Sequence, residues 1–119
     1  MSSLQARGMR GEALALAYLR ERGYQLVARN VRMHQRGEID LIMRAGEALA
    51  CVEVKTRVSP QVPFELLVPR AKQQKIIFVA RWYMQQHRLH DVVVRFDVVF
   101  VDLSKAEVEI RHIPGAFTP

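Results

Sequence analysis

Apolar positions along this chain follow two rhythms, one helical and one extended. From Leu4 to Arg22 the spacing is helical, and at about 100° per residue Met9, Ala13, Leu16 and Leu19 gather on one side as a core-facing stripe. Gly23 supplies a stop just past that helix, and Arg20 and Arg22 suit the negative end of its dipole. The period then shortens. Tyr24–Val31 predicts a first strand, and the β-branched-rich runs Ile39–Met43 and Ala48–Val54, set around Gly46, predict a hairpin. A second helix is predicted over Arg70–Gln86, with Ile76, Val79, Ala80, Tyr83 and Met84 on its apolar face. Phe78 and Trp82 fall towards its other side, where packing against a strand or a second subunit is expected ahead of base stacking. Val92–Val101 predicts a strongly apolar strand interrupted by Arg95 and Asp97, and Glu107–Ile113 a more polar edge strand. Thr56–Pro69, with three prolines, and Gln86–Asp91 read as links, and Pro114–Phe117 as a tail. The order is α, three strands, α, two strands. It implies an α/β fold, a mixed sheet of about five strands with helices against it, in a single domain over residues 1–119.

The hairpin register follows from its turn. A two-residue loop with Gly46 first suits a type II′ turn, which pairs Ala45 with Ala48 and puts Asp40 opposite Glu53. Facing residues share a side of the sheet, with Cβ atoms about 4.5–5.5 Å apart. Lys55, two residues beyond Glu53, points the same way. A three-residue loop would reverse the parity and send Asp40 to the other face. Two facing carboxylates repel unless something sits between them, and a hard divalent cation meets that need. Glu12 falls inside the apolar stripe of the first helix, where a carboxylate is costly without a partner. Lys72 and Gln73 open the apolar face of the second helix, within reach of the same region.

Composition narrows the class. The chain carries 14 Arg and 4 Lys against 12 acidic residues, a net charge of +6 and a pI near 10.1. Such a basic protein is drawn to polyanions, and the guanidinium fork matches phosphate geometry. Arg29, Arg32, His34 and Arg36 form a polar, basic approach to Gly37, suited to backbone contacts; His34 has no metal-spaced partner. Half the residues are hydrophobic, yet the longest apolar runs are far too short to span a bilayer. The first residues lack the pattern of a secretory signal, so a cytoplasmic location is expected, without membrane association. Cys51 is the single cysteine and sits among apolar neighbours, which fits packing in a reducing compartment.

Asp40, then Glu53-Val54-Lys55, resembles the core of the PD-(D/E)xK nuclease superfamily, and the helical Glu12 matches the extra acid of its resolvase-like branch. Ile39 stands where the superfamily nominally has proline, a position many members vary. The closer resemblance is to the bacterial YraN-type family. It is carried by Gly11-Glu12 with Ala17-Tyr18-Leu19, Gly23-Tyr24, Arg29-Asn30, Gly37 to Ile42, Val52 to Arg57, and Arg95-Phe96-Asp97-Val98-Val99.

That resemblance implies a Holliday-junction-resolvase type of restriction-endonuclease-like fold. It also implies a metal-dependent endonuclease that hydrolyses phosphodiester bonds in nucleic acid, DNA ahead of RNA, in branched or damaged structures. Asp40, Glu53 and Glu12, with the Val54 carbonyl, are then expected to hold one or two Mg2+ or Mn2+ ions. Lys55 would orient water or stabilise transition-state charge, with neighbouring carboxylates raising its pKa; its alternative is a plain salt bridge to Asp40 or Glu53. Glu38, Arg57 and Gln73 are supporting candidates, and Arg32, Arg36, Arg70 and Lys72 are candidates for nucleic-acid contacts. Cutting a junction needs two sites, so a homodimer is compatible, with Val92–Val101 and Trp82 as candidate contacts. The alternative is a nucleic-acid-binding or adaptor protein that keeps the fold without turnover, and a weaker third is a module binding an acidic protein.

Overall fold

The computed structural model describes residues 3–61, 63 and 68–119. Its elements are α1 (Ser3–Glu21), β1 (Gln25–Met33), β2 (Gly37–Ala45), β3 (Ala48–Arg57), α2 (Arg70–Gln86), β4 (Val93–Asp102) and β5 (Glu109–Phe117). This is the expected αβββαββ order of the resolvase-type α/β fold. The five strands form one sheet in spatial order β1-β2-β3-β4-β5, antiparallel throughout except for the parallel β3–β4 pair that α2 connects. A parallel neighbour requires a crossover, and α2 provides it.

Alternation along β3 assigns the two faces. Ala50, Val52 and Val54 pack with Ala15, Leu16 and Leu19 of α1, whereas Leu49 and Cys51 pack with Ile76, Ile77, Val79 and Ala80 of α2. Successive strand residues point to opposite sides, so one helix covers each face. Cys51 is buried, and burial pushes its thiol up to about 12, an inert packing residue.

The turn at Gly46 has φ +63° there and a normal φ at Glu47, as a type II′ turn requires. The ladder accordingly runs from Ala45–Ala48 to Leu41–Val52 in the expected register.

One helix face and three strand ends differ from expectation. The α1 stripe is rotated: Met9 is 58% exposed and Ala13 is exposed, while Gly11, Ala15, Leu16 and Leu19 are buried. The cause is a close approach at Gly11, where a Cβ would lie 2.0 Å from Thr56 Oγ1, so the helix rolls onto β3 along that side. β1 continues to Met33, because Val31 and Met33 find partners in Ile39 and Gly37. Thr56 and Arg57 complete β3 instead of opening the loop, of which residues 62 and 64–67 lie outside the described residues. Pro114–Phe117 is no tail: it extends β5, with Phe117 stacked on Phe96 at 5.2 Å.

Arg95 and Asp97, which interrupt the apolar run of β4, turn inward on the α1 face. Asp97 is fully buried and accepts two hydrogen bonds from Arg95 (2.8 Å each) and one from the Gly115 N–H (3.0 Å). His112 Nε2 stands 2.8 Å from the same carboxylate, and Arg95 also donates to the Tyr24 hydroxyl at 2.6 Å. This network ties β4, β5 and the start of β1 together. Among the described residues no helix is long and apolar enough to cross a membrane.

Candidate active site

The β2–β3 ladder ends at Leu41–Val52, and beyond it the acidic positions begin. There the Val54 N–H donates to Asp40 Oδ2 at 2.7 Å, a side chain taking the place of a strand partner. Asp40 and Glu53 both line a cavity of about 730 Å3 between this end of the sheet and the first turns of α2. The carboxylates therefore share a side, as the turn predicted. Arg32, His34, Gln35, Glu38, Lys72 and Lys75 complete its polar lining.

Two ammonium groups converge on one oxygen of Glu53: Lys55 Nζ at 3.2 Å and Lys72 Nζ at 3.1 Å from Oε1. Lys55 reaches it from two residues along the strand, and Lys72 from the first turn of α2. Among the described residues Asp40 has no such ion pair. Its carboxyl is pushed up to about 7, first by burial and then by the charge of Glu53, with Glu12 and Glu38 adding and the Val54 N–H opposing. Lys55 departs from expectation: its pKa is lowered. Burial is the main cause and the adjacent Lys72 ammonium adds to it, so together they outweigh Glu53. Lys72, more exposed, shifts the other way, because its contacts with Lys55 and Glu53 overcome burial. Of the two, Lys55 is the one that gives up a proton more readily.

Glu12 enters through the α1–β3 contact. Gly11 lets the helix backbone reach Thr56, and the next residue is carried beside β3. Its carboxylate lines an adjoining cavity of about 240 Å3 with Arg7, Lys55 and Thr56, not the larger one. Burial raises its pKa first, and the charges of Glu38 and Glu53 add to it, so the acids feel one another across β3. Among the described residues, no three Asp, Glu, His or Cys side chains stand close enough to form a ready-made metal cage.

The remaining candidates divide. Glu38 lines the cavity and pairs with Arg32 at 3.2 Å. Arg36 lies just outside it, its guanidinium 5.5 Å from the Phe78 ring centre. Arg57 is engaged elsewhere, donating to Asp102 at 2.9 and 3.2 Å and fastening the end of β3 to β4. Gln73 ties the start of α2 to the Val68 carbonyl, and Arg70 donates to the Thr118 carbonyl and to Gln73. None of these three lines the cavity. Sequence reasoning missed Lys75, which reaches the cavity because Gly37 packs against its Cβ and carbonyl (3.1 Å from a Cβ placed there). Its one signal was the position of Lys75 one turn after Lys72.

The profile of the family described as "Uncharacterised protein family UPF0102" matches residues 11–101, which include Glu12, Asp40, Glu53 and Asp97. The chain belongs to the UPF0102 family. A UPF0102 protein of Syntrophotalea carbinolica is 42% identical over 112 residues, covering 92% of this chain and 89% of the relative. Another, from Geobacter metallireducens, is 40% identical over 111 residues, with 92% and 90% covered. A third, from Anaeromyxobacter dehalogenans, is 41% identical over 114 residues, with 95% and 84% covered. The YraN-type resemblance is thus a family membership extending over nearly the whole chain.

Proposed function

We propose that this protein is a metal-dependent endonuclease that hydrolyses phosphodiester bonds in DNA, with branched or damaged structures as the substrate class. The observation that carries the reading is the convergence of Asp40, Glu53 and Lys72 in one cation-rimmed cavity of a strongly basic protein, with Lys55 paired to Glu53 from the adjoining cavity. The donor set fits a hard divalent cation: Asp40 is crowded by a second carboxylate, and among the described residues it has no ion pair of its own. Asp40 and Glu53 would hold Mg2+ or Mn2+, with Glu12 close enough to add to the field. The bound ion supplies Lewis-acid polarisation of the phosphate.

The chain's own groups account for the rest. Lys72, Lys75 and Arg32 present positive charge to a phosphate entering the cavity. Lys55, with its lowered pKa, orients the attacking water by hydrogen bonding and is placed to move a proton. The Val54 N–H fixes the rotamer of Asp40, and Glu38 holds Arg32 at the rim.

One observation favours a second reading, a nucleic-acid-binding or adaptor protein without turnover. Glu53 is already neutralised by two lysines, an arrangement that stands without a metal. Incubating the protein with Mg2+ or Mn2+ and a panel of junction, flap and duplex DNAs separates the two. Hydrolysis by the wild type and none by Asp40→Ala is expected. Equal survival of every substrate with both proteins, together with salt-dependent binding by both, would establish the second reading.

A further inference from the structure

Beside the cavity, α2 carries an exposed stripe of which the proposed chemistry uses only Lys75. Ala71, Gln74, Lys75 and Phe78 follow the i, i+3, i+4, i+7 spacing that puts side chains on one helix face, and all four are exposed. With Gln35 and Arg36 they line an open hollow of about 460 Å3, which shares Gln35 and Lys75 with the main cavity. Phe78 is the outlier in this stripe, an aromatic ring left 44% exposed among polar and small neighbours.

Its surroundings are fixed by the β1–β2 turn. Gly37, at φ +143°, seats the start of β2 against Lys75 and Val79, so the turn lies against α2. Gln35 adopts φ +61°, a left-handed conformation uncommon outside glycine, and the Arg36 N–H closes the turn on the Met33 carbonyl at 2.9 Å. The guanidinium of Arg36 is thereby held 5.5 Å from the Phe78 ring centre, within cation–π range. The ring keeps its exposure even so. The result is an aromatic surface flanked by Arg36 and Lys75, one helical turn from the residue that links it to the carboxylates.

We infer that Phe78 and Arg36 form a stacking platform for an unpaired base of a nucleic acid whose backbone enters the Asp40–Glu53 cavity. A single aromatic ring gives a base a π face without regard to sequence, and the adjacent cations take the flanking phosphates. A base inside an intact duplex offers no free face. The platform therefore selects overhangs, flaps and junction branches over blunt duplex. This rests on the reading that the cavity takes a nucleic-acid backbone.

The test is fluorescence anisotropy with labelled oligonucleotides in EDTA, so that binding is read without cleavage. Wild type is expected to bind a duplex with a single-stranded overhang roughly five- to a hundredfold more tightly than the blunt duplex, the range of one stacked base. Phe78→Ala should lose that preference with blunt-duplex affinity unchanged, and Phe78→Tyr should keep it. Equal affinity of wild type for both DNAs, or an undiminished preference in Phe78→Ala, overturns the platform, and DNA cleavage that depends on Asp40 would then leave the hydrolytic reading standing. A Phe78-dependent preference without any cleavage supports the platform and removes hydrolysis alone. No binding to either DNA overturns the platform, and the cleavage assay with Mg2+ or Mn2+ then decides the hydrolytic reading separately.

Discussion

Asp40→Asn isolates the electrostatic strain on which the metal-binding proposal rests. Burial and the charge of Glu53 raise the Asp40 carboxyl from its ordinary value of 3.8 to about 7. The folded state therefore holds a proton that the unfolded chain releases near pH 4. Without metal, ionisation of Asp40 removes stability progressively as pH rises from about 4 through about 7. A shift of about three pKa units corresponds to roughly 4 kcal/mol at most. Relaxation around a cavity open to water reduces this to about 1–3 kcal/mol. Asparagine keeps the shape and an acceptor for the Val54 N–H without the charge. In EDTA at pH 8.5, Asp40→Asn should melt about 5–10 °C above wild type, and at pH 4 the two should coincide. Adding Mn2+ should raise the wild-type Tm and leave the variant's in place. A variant that melts at or below wild type at pH 8.5 in EDTA would refute the strain. It would mean that Lys72 and Lys55 already neutralise the pair.

Two further predictions concern the frame. Gly11→Ala should cost about 1–3 kcal/mol in urea unfolding, because the new methyl meets Thr56 Oγ1, and combining it with Thr56→Ala should restore most of the loss. Additive costs in the double variant would disprove that contact. Asp97→Ala should cost about 3–5 kcal/mol, since it strands Arg95, the Gly115 N–H and His112 around a fully buried site. Burial alone would raise the Asp97 carboxyl, but Arg95, Gly115 and His112 outweigh it and hold it below the usual range. Its contribution is therefore present above about pH 4 and lost on further acidification, so the gap between wild type and Asp97→Ala in denaturant titrations should shrink as pH falls through that range.

What could be read from the residue pattern was local. The Gly46 turn fixes the hairpin register as far as Leu41–Val52, and that register directs Asp40, the next residue, to the side where it meets Glu53 in the cavity. The Asp40–Glu53–Lys55 geometry was legible for that reason. What escaped depends on docking between distant segments. The contact of Lys72 with Glu53 exists only once α2 lies across the end of β3, and it adds to the burial that is the main cause of the downward shift of Lys55. Arg57 looked like a neighbour of the site by sequence proximity, but Asp102 captures it through the parallel β3–β4 pairing, which no local pattern encodes. The roll of α1 away from Met9 has the same origin, a glycine whose partner lies 45 residues further on. Arg95 and Asp97 read as interruptions of an apolar strand because their partners, His112 and Gly115, belong to a segment that looked like a tail and its approach.

A calorimetric Mn2+ titration tests the central claim most directly. Wild type should bind saturably through Asp40 and Glu53, releasing protons near pH 7 as the Asp40 carboxyl ionises, and both Asp40→Ala and Glu53→Ala should abolish the signal. Binding that persists in both variants, or its absence in folded wild type, would contradict the claim that these two carboxylates form a cation site.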